Sequence, residues 1–562
     1  MEHSALHATQ LVGVLLTLAA PLLALIVLLP ARDVAAFTST AGRLDDDLLV
    51  RTARSTALVA AVGGVACFLN LIVQVAEFEG VTLLAGAEPS LVFRFATATT
   101  VGRLTVTRGS LLLLAAALAW WLSRDVERAR RRVVWLPLLA VGIGAAVTTA
   151  LVTHAAAQPT GREGAIALHF LHVVAAASWL GVLGHLFLTR RALLGATDAE
   201  QVRLVAAIVG RFSPMALTAG LALLVTGSVA TWLYLGTPTA VLTSAYGLTL
   251  ATKLGLLVPL VAGGFVNYRY VRPALLRLAE PSATGPLTTG APPEVLRRLV
   301  RTIELEVSVG LVLVITAGIL ASVSPPTPQG EGRLTEAQTA AILEPRMPRT
   351  DIVDPSTWVG SATRTEDDLK YSEFMHQWSG ALVILLGLAW LVQSVGGDSL
   401  AARIAAWVWP AAFVPFAVFV AIASDPEVWP LGTVSPLVAL TDPIVLEHRV
   451  GALMIVVLAW LGLREARRGG PHRPLGHALP IVMVVGSLLL LGHAHSSFSA
   501  SDSLTTLINV QHAVLGGLGV LAGMVRWLQL RQLVPQRLAA FLWPTLVLAI
   551  GLFMTLSYRE LV

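Results

Sequence analysis

About fourteen apolar runs of roughly 20 residues each follow one another along this chain, parted by short polar segments. Nothing else in the sequence restricts the fold so strongly. A run of that length, wound as a helix, matches the ~30 Å hydrocarbon core of a bilayer. Lipid offers no water to backbone amides and carbonyls, so only helices or closed barrels can cross it. These runs are too long and too continuous for barrel strands, which alternate in polarity. The expected class is therefore all-α, a polytopic integral membrane bundle of about fourteen helices embedded in the lipid bilayer. Charged residues make up 13% of the chain, about half the share of a soluble domain, which fits the same conclusion.

The arginines set an expected orientation. Arg124, Arg128, Arg130, Arg131 and Arg132 fill one short loop, Arg190 and Arg191 follow the fifth run, and Arg269, Arg272, Arg277, Arg297, Arg298 and Arg301 lie between the seventh and eighth. Arg464, Arg467, Arg468 and Arg473 follow the eleventh. If the spans simply alternate, all of these fall on one side, which is then cytoplasmic. Both termini are then expected outside. The net charge of +5 resides in these loops and is no sign of a nucleic-acid partner. The first apolar run, Leu11 to Pro30, has no Lys or Arg before it, so it lacks the basic flank of a signal peptide and is expected to stay as the first helix.

A polar stretch with Pro325, Pro326, Pro328, Pro345, Pro348 and Pro355 interrupts the apolar runs. It suggests three parts: an eight-helix membrane module over 1–323, an extracytoplasmic linker over 324–370, and a six-helix module over 371–562. Trp407, Trp409, Trp429 and Trp543 stand near the ends of the later runs and are expected to anchor them at the lipid interface. Gly519 and Gly523, four apart, suit close helix packing.

Histidines carry the chemical signal. His154, His169, His172, His376, His448, His493, His495 and His512 all lie near expected extracytoplasmic helix ends. His169 and His172 are three apart, on one helical face, and a hairpin would bring His154 close to them. Neutral imidazole is a good ligand for copper, zinc or iron. With one cysteine, Cys67, and eight methionines in the whole chain, imidazole must supply most of any metal coordination. His3, behind a free amine and two amides, adds a square-planar possibility for Cu(II) or Ni(II) at the N-terminus. The competing reading is that such side chains bond to loops or tie helices together. His185, His472 and His477 lie toward the cytoplasmic side and are assigned no metal. Lys253 falls inside a span and must face a cavity or a partner group.

The segment His169-Phe-Leu-His172-Val-Val-Ala-Ala-Ala-Ser-Trp179-Leu-Gly181, followed by Arg211-Phe-Ser-Pro214, Tyr246-Gly247, Lys253-Leu-Gly255, Asn267, Pro273 and the run Leu296 to Glu304, resembles the copper resistance D family of inner-membrane proteins. The resemblance covers roughly residues 100–325. It implies an eight-helix module associated with copper passage across the bacterial cytoplasmic membrane, working beside a small periplasmic copper carrier. A methionine-laddered Cu(I) route is not evident, because Met215 is nearly the only methionine inside that module.

The last six runs leave two chemistries open. A copper site would take two to four imidazoles from His376, His448, His493, His495 and His512, with Met375 as a further ligand. His493 and His495 are two apart, so an intact helix would turn them to different faces. Alternatively a b-type haem would take axial histidines from opposed helices. Glu447-His448-Arg449 together with His512 weakly resembles the helix pair of the haem A synthase family, which implies Arg449 against a haem propionate. With no nucleotide-binding loop or phosphorylated-aspartate motif, the chain as a whole is expected to be a non-enzymatic copper-handling protein. A haem-modifying role for the second module stays as the alternative.

Overall fold

In the computed structural model, residues 2–562 are described apart from 35–38, 159, 197–198, 279–293, 328–329, 352, 354–364, 441–442, 469–475 and 493–502. Among the described residues, thirteen helices are long and apolar enough to cross a membrane. They are α1 Ser4–Arg32, α2 Arg43–Glu79, α3 Thr100–Leu122, α4 Arg132–Ala150, α5 Arg162–Leu188, α6 Ala199–Leu235, α7 Ala245–Leu278 and α8 Glu294–Ser322, then α9 Glu366–Val395, α10 Leu400–Ala423, α11 Val445–Arg468, α13 Ser503–Leu530 and α14 Gln536–Leu556. Between α11 and α13 stands a shorter apolar helix, α12, Ala478–Gly492. Its 15 residues span about 23 Å, short of the ~30 Å apolar thickness. The chain is a polytopic helical membrane bundle, as the apolar runs require.

The helices gather into two compact units, one comprising 1–237 and 253–324, the other 238–252 and 325–562. In the first unit α1 is central, and its neighbours approach it through glycine. A Cβ on Gly63 of α2 would lie 3.1 Å from the Gly13 backbone, one on Gly142 of α4 3.0 Å from Leu18, and one on Gly181 of α5 2.8 Å from the Leu15 carbonyl. Gly318 of α8 would meet Ala8 at 2.9 Å. Lipid supplies no hydrophobic drive between helices, so such close backbone contact, with its dispersion attraction, does the assembling.

Polar ties cross the same bundle. Arg108 of α3 donates to Gln10 of α1 at 2.8 Å, and Gln10 donates to the Ala66 carbonyl of α2 at 3.2 Å. His185 is fully buried, with Nδ1 3.1 Å from Ser55 Oγ of α2 and Nε2 2.9 Å from the Leu16 carbonyl of α1. It knots three helices. His185→Leu is expected to lower stability by about 2 kcal/mol, because it removes both interhelical hydrogen bonds, although Ser55 keeps its bond to the Thr52 carbonyl. A lower melting temperature of the detergent-solubilised protein, without loss of bound metal, is the expected result.

In the second unit an aromatic cluster fills the centre. Trp390 of α9 packs on Trp409 of α10 at 5.6 Å and on Trp543 of α14 at 5.3 Å between ring centroids. Two of the expected interfacial anchors are therefore core residues. Trp409 is 7% exposed and Trp543 1% exposed, whereas Trp407 and Trp429 are exposed. Position near a helix end did not decide their role, because the face of the helix did. The α9 start is set by a capping box, with Thr365 and Asp368 each bonding the other's backbone N–H at 3.2 and 2.7 Å. The proline-containing stretch from 325 groups with this unit and carries a short capped helix, Glu336–Leu343.

Candidate metal sites

The first candidate site lies in the first unit, where four helix ends meet the 3-10 turn His154–Ala157. His169 and His172 stand one turn apart near the start of α5. The His172 Nδ1 atom is 2.8 Å from Thr226 Oγ1 of α6. Gly227 of α6 borders the His172 ring on the same side, where a Cβ would make ordinary contact at 3.6 Å. His154 packs edge-on against Tyr234 of α6 with ring centroids 6.3 Å apart, and bonds to the backbone at Leu320 in the last turn of α8 and at Val323 just beyond it. Burial holds the His154 imidazole below its ordinary pKa, against the two backbone bonds that favour its charged form. A neutral ring is the form that binds metal.

The three imidazoles interact in series. His154 acts electrostatically on His169, and His169 on His172. Lys253 of α7 lies within electrostatic reach of both His169 and His172. Among the described residues no group of three or more His, Cys, Asp or Glu side chains stands in a metal-holding arrangement.

The second unit places the described candidates His376, His512 and His448 in two separate settings. His376 of α9 stacks on Tyr558 at 4.0 Å and 12°, and lies 5.9 Å from the His512 ring of α13. His376 Nδ1 is 2.9 Å from the Ser372 carbonyl, one turn back. The chain end is pinned beside this pair. Glu373 accepts from the Glu560 and Leu561 amides at 2.7 and 2.9 Å, and Gln511 accepts from the Arg559 amide at 2.8 Å while donating to its carbonyl at 2.6 Å. Met375, adjacent in sequence, is buried.

His448 of α11 stands elsewhere, with Nδ1 2.7 Å from Asp425 Oδ1. Arg449 reaches Asp425 Oδ2 at 3.2 Å and donates to the Ala421 carbonyl. Asp425 is 3% exposed, so this carboxylate already answers Arg449, which the haem reading gave to a propionate. The structure thus brings His376 to His512, and His448 to Asp425. His493 and His495 lie outside the described residues, as does the side chain of His3, whose backbone opens the first helix.

Several participants escaped the sequence reading. Asp425 sits in a loop far from His448 in sequence, and Tyr558 follows the last apolar run, so only folding discloses them. Glu306 had a visible signal, as an acid within the apolar stretch of α8. It is 2% exposed and bonds to Asn267 of α7 and Trp179 of α5.

Comparison with known proteins falls on the same helices. The family model described as copper resistance protein D matches residues 206–320, from α6 to α8. Over 231 residues the chain is 28% identical to the copper transport protein CutJ of Bacillus subtilis (strain 168), which is 40% of this chain and 38% of that relative. The chain therefore spans less than half the length of that protein. No solved structure matches it significantly. The chain resembles the copper resistance D family, and α6, α7 and α8 carry the likeness.

Proposed function

We propose that this protein handles copper at the bacterial cytoplasmic membrane, capturing the ion on His154, His169 and His172 and moving it across the bilayer or handing it on there. One conjunction carries the reading. The stretch that matches copper resistance protein D supplies Thr226, Tyr234, Lys253 and Leu320, and these are the residues against which the three imidazoles stand. The arginine pattern supports an extracytoplasmic position for that rim. A small periplasmic carrier delivering or receiving copper there is part of the proposal. The mechanism is ligand exchange, without covalent chemistry. Imidazoles coupled in pairs hold an ion less firmly than a closed cage, which suits transfer. His376 and His512 are the candidate ligands of a second station, and His493, His495 and His3 remain further candidates.

Lys253 opposes the cargo. An ammonium beside His169 and His172 disfavours a second cation at the same place. Lys253→Met is therefore expected to tighten copper binding by about tenfold, or ~1.4 kcal/mol, as measured by competition with a chromogenic copper chelator. An unchanged affinity would remove Lys253 from the site.

Metal analysis of the purified full-length protein tests the proposal: at least one copper per chain is expected, and none would refute it. A haem b alternative for the second unit draws on His448, whose Nδ1 is oriented by the buried Asp425 as metal-bound imidazoles commonly are. The same preparation decides this point, since a Soret band with a reduced α band supports haem and their absence removes it.

A further inference from the structure

We propose that Glu306 is a proton carrier within the first unit, taking up and releasing a proton as copper passes; this rests on the copper reading above. Glu306 lies on α8, inside a span, and is 2% exposed. Asn267 donates from Nδ2 to Glu306 Oε1, and Thr302 donates to Asn267 Oδ1, fixing which way the amide faces. The Trp179 indole supplies the second bond. Both donors occupy π-helical segments, Ala177–Gly181 in α5 and Asn267–Val271 in α7. Such segments re-aim side chains and are frequent at functional places. Gly263 makes the space, since a Cβ there would lie 3.1 Å from Glu306 Cγ, and Gly264 borders both Oε2 and the Trp179 ring.

No Lys or Arg among the described residues acts on this carboxyl as a counter-ion. On α7, Lys253 is 14 residues from Asn267, about 21 Å along the helix, while Arg269 and Arg272 lie over the rings of Tyr270 and Tyr268. On α5, His172 bonds to Thr226 and His185 to Ser55 and Leu16, and the following Arg190 lies over Phe187. On α1, no titratable residue occurs between His7 and Arg32. On α6, whose Gly220 faces Trp179, Arg211 and Tyr234 lie toward the two ends. On α8 itself, Arg301 precedes it by five residues and Glu304 by two.

A carboxylate without a cation is expensive in this setting, yet its two donors can hold the charged form as well as the neutral one. A group that tolerates both states can exchange its proton. Intramembrane acids are rare and mark ion or proton pathways. A purely architectural clamp would need no ionisable group, since glutamine fills the same space and accepts the same bonds.

The test uses the full chain in liposomes holding a pH-sensitive dye, with copper ion as the probe. Wild type is expected to move protons when copper is added. Glu306→Gln should reduce that movement at least tenfold with copper bound per chain unchanged, and Glu306→Asp should restore part of it. Proton movement at the wild-type ratio in Glu306→Gln overturns the proposal, and so does loss of copper binding in that variant, which would mark a structural role. Carbodiimide modification of Glu306 gives a readout independent of copper: labelling that falls as pH rises supports an exchangeable carboxyl, and no labelling at any pH overturns it. Absence of copper uptake by wild type overturns the copper reading itself, a result distinct from intact uptake with unaltered protons.

Discussion

The double substitution His169→Ala with His172→Ala is expected to cost copper affinity at least about 100-fold, since even outer partners of metal ligands are worth 10- to 100-fold. The two rings stand one turn apart on α5 and are electrostatically coupled to each other and to His154. Removing both takes out the middle and the end of that series and leaves His154 alone. Thr226 loses its imidazole partner, but its hydroxyl still bonds to the Ala222 carbonyl at 2.6 Å, so the helix should stand. Elemental analysis and chelator competition should therefore record lost copper with little change in melting temperature. Copper retained at wild-type affinity would place the ion elsewhere.

The second large effect is expected from Gly551→Leu. Helices α9 and α14 approach so closely that a Cβ on Gly551 would lie 2.6 Å from the Ile384 amide nitrogen and 3.0 Å from the Gly380 carbonyl. Both obstacles are backbone, so no rotamer change relieves them. Gly380 presents the reciprocal contact, its Cβ position lying 2.7 Å from the Thr555 amide. Overpacking costs typically 1–3 kcal/mol, and a backbone-to-backbone clash belongs at about 3 kcal/mol or above. Gly451→Leu on α11 is the control, because nothing lies within 4 Å of its Cβ position. Thermal unfolding in detergent should fall sharply for the first and hardly at all for the second. Equal melting temperatures would contradict the seam.

Much of the architecture was legible because lipid leaves so few options: long apolar runs without periodic polarity must become helices. The twelfth run became α12, shorter than its fellows, since an apolar run in sequence does not fix where helical backbone stops. Partnerships were less legible. Trp409 and Trp543 look like interfacial residues from their place near helix ends, yet both are in the core, because rotation about the helix axis is invisible in a chain apolar on every face. His376 and His512 come together from helices separated by three others, while His448, an equally good candidate by position, answers Asp425 instead. The pairing depends on helix order in the bundle, which loop lengths and charges do not encode. Glu306 could be noticed in sequence as an acid in an apolar run, but its partners Asn267 and Trp179 come from α7 and α5 and emerge only on folding.

Copper X-ray absorption of the loaded full-length protein tests the central claim most directly. Imidazole ligation predicts a first shell of nitrogen or oxygen with the outer scattering of histidine rings, reduced in His169→Ala with His172→Ala. A shell dominated by sulfur, or a histidine signal unaffected by that substitution, would contradict the account.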